Sequence, residues 1–238
     1  MKKAIVVGAS SGIGEELSRI LSESGYVLGL AARRVELLNK LSADLPNKSF
    51  VKQIDLTSPD TAMRNMSDLI DDLDGVDLVV IVSGTGEVNP QLQWSLEHIC
   101  IATNVVGFAA IANVAMNYFL EKKSGHLVGI SSIAAVRGAR YAPAYNASKS
   151  FVSNYLEGLR QKAKNAKYAI TVTEIMPGYV NSDMAKGQKL FWMASINKAA
   201  TQIYRAIKNK KSHAYVTKRW RLIAWLIKVL PAGIYNRF

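Results

Sequence analysis

Short apolar runs rich in β-branched residues alternate along this chain with stretches whose apolar positions recur at helical intervals. "AIVVG" (4–8) precedes an amphipathic segment from Ile13 to Glu23, and "YVLGLAA" (26–32) precedes "VELLNKLSADL". "SFVKQID" (49–55) leads to a segment opening at Ser58-Pro59, a favourable helix start because proline is preorganised for the first helical position. "VDLVVIVSG" (76–84), "GHLVGISS" (125–132), "AITVTEIMPG" (169–178) and "HAYVT" (213–217) complete seven strand candidates, with long helical patterns at about 95–122, 143–165 and 195–209. Strands apolar on both faces, alternating strictly with helices, predict an α/β fold: a doubly wound parallel sheet covered on both sides. No linker, repeat or low-complexity break interrupts the pattern, so residues 1–238 read as a single domain. In such a sheet ligands bind beyond the carboxyl ends of the strands, which directs attention to the residues after each one.

The first strand runs into "GASSGIG", with Gly8, Ser10, Ser11, Gly12, Ile13 and Gly14. Glycines there permit a tight turn and let backbone N–H groups approach a phosphate at a helix N-terminus, where the dipole favours an anion. After the second strand come Arg33 and Arg34, with no acid before Glu36. An acid at this place would take the ribose hydroxyls of NAD, whereas arginine accepts a 2′-phosphate, so the expected cofactor is NADP(H). After the third strand Asp55, beside Leu56, either reaches the adenine or caps the next helix.

Tyr-x-x-x-Lys occurs three times, at Tyr118–Lys122, Tyr145–Lys149 and Tyr204–Lys208. The outer two lie inside long helical patterns, away from any carboxyl strand end, and read as packing or surface residues. Tyr145 follows the fifth strand in a segment entering a helix after Pro143, with Ser131 and Ser132 at the preceding strand end. The i, i+4 spacing puts Tyr145 and Lys149 on one helix face. Reduction of a carbonyl leaves an alkoxide-like oxygen that needs a proton, and a tyrosine near pKa 10 exchanges one poorly until a cation lowers that value. Lys149 is the expected cation, and Ser132 the hydroxyl that orients the carbonyl oxygen.

The glycine turn, "NVVG" with Asn104, Ser132, Tyr145-x-x-x-Lys149 and "PGYVNS" follow one another in an order that resembles the short-chain dehydrogenase/reductase family over residues 1 to about 185. The resemblance implies a Rossmann-like fold, a nicotinamide cofactor, and a catalytic set of Asn104, Ser132, Tyr145 and Lys149, with Asn104 holding a water that links the lysine to solvent. It also implies cofactor contacts from Gly84, Pro177, Gly178, Val180 and Ser182, the last standing where the family usually has threonine. The chain departs from the family pattern at Val7, where threonine is common, and at Ile81-Val82-Ser83-Gly84, where Asn-Asn-Ala-Gly is common. The implied activity is an NADP(H)-dependent carbonyl reductase or alcohol dehydrogenase; a non-catalytic NADP(H) sensor on the same fold is the alternative. Residues 184–217 would supply a substrate lid with the last helix and strand. Met184, Leu190, Phe191, Trp192 and Met193 suggest an apolar inner surface for a lipophilic carbonyl compound.

Charge adds one feature. The formal net charge is +12, yet all 18 Asp and Glu fall in residues 1–183, balanced there by equal Lys and Arg, while residues 184–238 hold no acid. A neutral body with a basic end and no nucleic-acid motif argues against nucleic acid as a partner. Scattered histidines predict no metal site. The lone Cys100, among apolar neighbours, reads as a small buried hydrophobe in a reducing cytoplasm. No stretch is read as a membrane span, which needs ~20 apolar residues. The family resemblance leaves "KRWRLIAWLIKVLP" (218–231), within the extension 218–238, unexplained. As a helix it is apolar on most sides, which points to packing on the body, to burial in a homodimer or homotetramer, or else to a peripheral contact with an anionic membrane and lipid-like carbonyl substrates.

Overall fold

The computed structural model describes residues 1–182 and 191–236. Seven strands form one sheet: β1 (Lys2–Val7), β2 (Tyr26–Ala32), β3 (Ser49–Gln53), β4 (Leu78–Ile81), β5 (Ser124–Ile130), β6 (Ala169–Pro177) and β7 (His213–Val216). Their order is β3-β2-β1-β4-β5-β6-β7, and every neighbouring pair is parallel. The helices are α1 (Gly12–Glu23), α2 (Val35–Asp44), α3 (Pro59–Asp72), α4 (Trp94–Ile101), α5 (Phe108–Lys122), α6 (Pro143–Ala166), α7 (Ile196–Lys208), α8 (Trp220–Val229) and the short α9 (Ala232–Tyr235).

The unbroken apolar runs have a direct cause, because both faces of the sheet are covered. Ile5, Val7, Val79, Ile81 and Leu127 pack with α3, α5 and α6, while the alternate residues Ala4, Val6, Leu28, Leu30 and Val80 pack with α1, α2 and α7. The winding direction reverses between β1 and β4, which opens a crevice beyond their carboxyl ends. The backbone N–H of Ser83, after β4, donates to the Val7 carbonyl at 3.0 Å, so the turns after these two strands lie side by side.

Two readings of the sequence need correction. The pattern at 95–122 reads as one helix, but a π-helical segment, Ala102–Gly107, separates α4 from α5 and carries buried Asn104. The whole of Trp94–Lys122 is also long and apolar enough to cross a membrane by length and composition, contrary to the expectation that no stretch is. Its second half is a core helix, with Phe108, Ile111, Ala112, Ala115, Met116 and Phe119 buried against the sheet.

The C-terminal helix α8 does form, and one stripe of it lies on the protein's own body. Trp220 and Ala224 are buried, and Ile223 and Ile227 partly so. Arg137 Nη1 donates to the Ile227 carbonyl at 3.1 Å and to that of Leu230, satisfying carbonyls at the helix end. Tyr235 Oη donates to the Gly138 carbonyl at 2.6 Å, and the Arg137 guanidinium lies over the Tyr235 ring. The inward stripe therefore needs no second subunit to cover it.

Candidate active site

A cleft of about 430 Å³ lies beyond β1, β2 and β4, lined by Gly8, Ser10–Ile13, Arg33, Arg34, Asp55, Leu56, Gly84 and Ser182 among others. Its floor depends on missing side chains. Gly8 has φ +99°, and a Cβ there would stand 2.6 Å from the Ser83 nitrogen. A Cβ on Gly14 would stand 2.0 Å from the Gly8 carbonyl oxygen, so this glycine brings α1 against the turn without lining the cleft. Ser11 stands at the α1 N-cap but does not cap it with its side chain. Its hydroxyl instead accepts from Arg34 Nη2 at 2.8 Å, and that of Ser10 accepts from the same nitrogen at 3.1 Å. A guanidinium is thus held over the turn, beside a helix N-terminus.

Asp55 lines the cleft but does not cap α3, whose cap residue is Ser58. Its Oδ1 accepts from the N–H and hydroxyl of Thr57 at 2.9 and 2.8 Å, bracing the turn before the α3 cap residue Ser58. Leu56 lines the cleft from a side chain buried in the core. Ser182 faces Gly12, at 3.8 Å from where a Cβ would lie. Pro177, Gly178 and Val180 are not brought to the cleft lining. Val180 is buried, and the free face of Gly178 is taken by the Trp220 ring, 2.1 Å from a Cβ position. Trp220 also stands edge-on to Tyr179 and Trp192, and Trp192 stacks on Phe191. Met184 and Leu190 lie outside the described residues.

At the inner end of the cleft the first turns of α6 meet the ends of β4 and β5. Lys149 is buried and its Nζ donates to the Ile130 carbonyl at 3.0 Å. A Cβ on Gly84 would stand 3.0 Å from that Nζ and 3.3 Å from Asn104 Oδ1, which places the three together. The Tyr145 ring lies against the backbone of Gly86. Burial pushes the Tyr145 hydroxyl above its ordinary pKa, and the nearby Ser132 hydroxyl pulls the other way. The expected depression by Lys149 is not found. The ammonium is bonded to Ile130 and stands 5.9 Å from the tyrosine ring centre, while burial lowers its own pKa to about 8.

Sequence reading singled out Asn104 but missed the bracing groups Ser148, Asn146 and Glu174 around this cluster. Asn104 Nδ2 donates to the Thr85 carbonyl and, at 2.9 Å, to Ser148 Oγ, while its Oδ1 accepts from the Thr85 N–H. Ser148 in turn donates to the Tyr145 carbonyl at 2.8 Å, so the π-helical segment is tied to the first turn of α6. Cys100 is buried as expected, with its sulfur 3.4 Å from Asn104 Nδ2. Asn146 Nδ2 donates to the carbonyls of Ala134 and Arg137. Behind the serines, Ser131 Oγ donates to fully buried Glu174 at 2.6 Å, and His213 Nδ1 stands 2.9 Å from the other carboxylate oxygen. Burial alone would raise Glu174, but hydrogen bonds from His213, Ser131 and Ser153 hold it below the ordinary carboxylate value. A buried asparagine or glutamate within an apolar run is the one signal that could have found these braces.

Residues 2–191 match the family model for short chain dehydrogenase. An uncharacterized oxidoreductase of Mycobacterium tuberculosis is 32% identical over 248 residues, spanning 100% of this chain and 97% of its own length. A solved short chain dehydrogenase/reductase from Burkholderia phymatum, in complex with NAD, has a TM-score of 0.85 at 18% identity, covering 94% of this chain and 92% of its own. Another from Burkholderia cenocepacia, in complex with NADP, also gives 0.85, at 19% identity over 100% and 98%. At such identities the two structures speak for the fold.

Proposed function

The chain belongs to the short-chain dehydrogenase/reductase family and is an oxidoreductase of that family, and on this premise we propose that it is an NADP(H)-dependent carbonyl reductase or alcohol dehydrogenase. One observation carries the reading: the cleft lined by the glycine turn and Arg34 has Gly84 in its wall, and Lys149, one helical turn from Tyr145, stands directly behind that glycine. The backbone N–H groups after Gly8 and the start of α1 suit a pyrophosphate, and Arg33 and Arg34 suit a 2′-phosphate. NADPH supplies a hydride when bound. Ser132 orients the carbonyl oxygen, and Tyr145, kept protonated by burial, donates the proton that the developing alkoxide needs. Lys149, whose ammonium now donates to the Ile130 carbonyl, would hold the ribose hydroxyls of the bound cofactor. Asn104 and Ser148 keep α6 in register for that transfer.

The substrate class is lipophilic, a reading supported by the aromatic surface of Tyr179, Phe191 and Trp192 beyond β6. Exposed Ile99, Ile101 and Val106 offer a surface for a homodimer. The compartment is cytoplasmic, consistent with one unpaired buried thiol. A panel of ketones, 3-oxoacyl thioesters and steroids, followed by loss of NADPH absorbance, tests the assignment. Turnover of one class is expected, and NADPH binding with no turnover of any would replace the reading by a cofactor sensor.

A further inference from the structure

The outward stripe of α8 is the least satisfied surface among the described residues. Leu222, Trp225, Leu226 and Val229, spaced i, i+3, i+4, i+7, are 72, 65, 51 and 53% exposed. They stand on a helix whose opposite stripe is anchored by Trp220 and whose end is held by Arg137, so the apolar side chains are presented on a rigid platform. Beside this stripe, between α7, β7 and the start of α8, runs a second cleft of about 1070 Å³ that reaches Leu222. Exposed Lys198, Arg205, Lys211, Lys218, Arg219 and Arg221 line it, with no carboxylate among the lining residues.

A ligand for both features must offer anions and hydrocarbon side by side. A nucleic acid supplies phosphates but leaves the Leu and Val stripe in water. A second copy of the chain, related by a two-fold axis, supplies apolar area but sets each cation against others of its kind, because residues 184–238 contain no acid. We propose that α8 and the adjoining cationic cleft dock the protein on an anionic phospholipid surface, with the stripe in the acyl boundary, Trp225 at headgroup depth and lipid phosphates in the cleft. Each Lys or Arg near such a surface strengthens binding about fivefold at low salt. The docking does not depend on the chemistry assigned to Tyr145, since it is read as binding alone.

Sedimentation of the full-length protein with vesicles of phosphatidylcholine, with and without phosphatidylserine, tests this. Binding is expected only to the mixed vesicles, and it should fall as ionic strength rises. Trp225→Ser with Leu226→Ser should weaken partitioning about tenfold or more, and Lys211→Ala with Lys218→Ala and Arg221→Ala about 100-fold. Both variants change exposed side chains, and unaltered circular dichroism and melting temperature establish that they fold. Failure of the wild type to sediment with mixed vesicles at low salt overturns the proposal. So does unchanged binding by the serine variant, which would make the cleft a simple polyanion site. A fall in solution mass for that variant, measured without lipid, would make the stripe a contact between copies and likewise overturn it.

Discussion

The larger of the two clefts is not the one to which chemistry is assigned in the proposed function. The crevice beyond β1 and β4 is less than half the volume of the one beside β7, and it has two arginines where the other has six cations. What distinguishes them is support. Arg34 is held by two serine hydroxyls over a turn built from glycines, and the first turn of α6, with Tyr145, is tied through Ser148 to buried Asn104. The β7 cleft presents long exposed side chains, of which Arg219 donates to Thr217 Oγ1 at 3.2 Å and lies over the Trp192 ring. A preorganised frame recognises one ligand shape, whereas a field of exposed cations recognises a surface of opposite charge.

The sharpest way to break this contrast is at the framed end. Tyr145→Phe should lower kcat by about 10²- to 10⁴-fold with NADPH affinity preserved, because only the proton donor is lost. A residual rate above about a tenth of wild type would remove Tyr145 from its role. Tyr118→Phe and Tyr204→Phe should leave turnover close to wild type.

Next in size is the cofactor contact. Arg34→Ala should weaken NADPH about 10- to 100-fold by fluorescence titration and leave NADH nearly unchanged, since a charge-assisted phosphate contact is worth about 1.5–3 kcal/mol. Removing Lys211 and Lys218 from the other cleft should move neither cofactor. Equal kcat/KM for NADPH and NADH in the wild type would show that the framed arginine does not read phosphate.

Acidity gives a smaller separation. Lys149, lowered to about 8 by burial, should impose a falling limb near that pH on kcat/KM for NADPH, which reports the free enzyme. An unbroken profile to pH 10 would mean that the charged lysine is not needed for capture. A further pH effect crosses from the basic end to the body. Burial lowers His126 to about 4, and Lys210 adds to the shift. The unfolded chain takes up this proton as pH falls through about 6.5, but the folded chain does not until about 4, so stability present above that window drains away within it. A loss on the order of 3 kcal/mol is the upper bound in urea titrations. Lys210→Asn, which suits the positive φ at this position, should raise the histidine slightly in an NMR titration.

Much of the fold was legible because a sheet covered on both faces writes itself as apolar runs, and each predicted strand overlaps an observed one. The glycine turn and the arginines were legible for a related reason: each sits at a strand end where local geometry dictates residue type. Tyr145, by contrast, was singled out by the serines at the end of β5 and its helical spacing to Lys149. The π-helical segment was not, since six residues of altered register barely disturb an apolar periodicity. Glu174 was hidden as well, because a single acid within "AITVTEIMPG" gives no sign of partners 43 residues upstream and 39 downstream at Ser131 and His213. The direction of Lys149 Nζ was equally invisible. Helical spacing sets the face a side chain leaves from, not the acceptor it reaches.

The seat of Trp220 on Gly178 has a consequence for how this protein can vary. A side chain at 178 and an indole at 220 compete for one volume, so neither position can be exchanged without regard to the other. Gly178→Ala alone should drive the indole from its place and loosen the end of the chain, and a smaller residue at 220 should restore room for it. Among relatives in which the terminal helix is rebuilt or shortened, bulk at 178 is expected to rise as bulk at 220 falls. Drift in the tail thereby becomes an inherited constraint on the segment that follows β6.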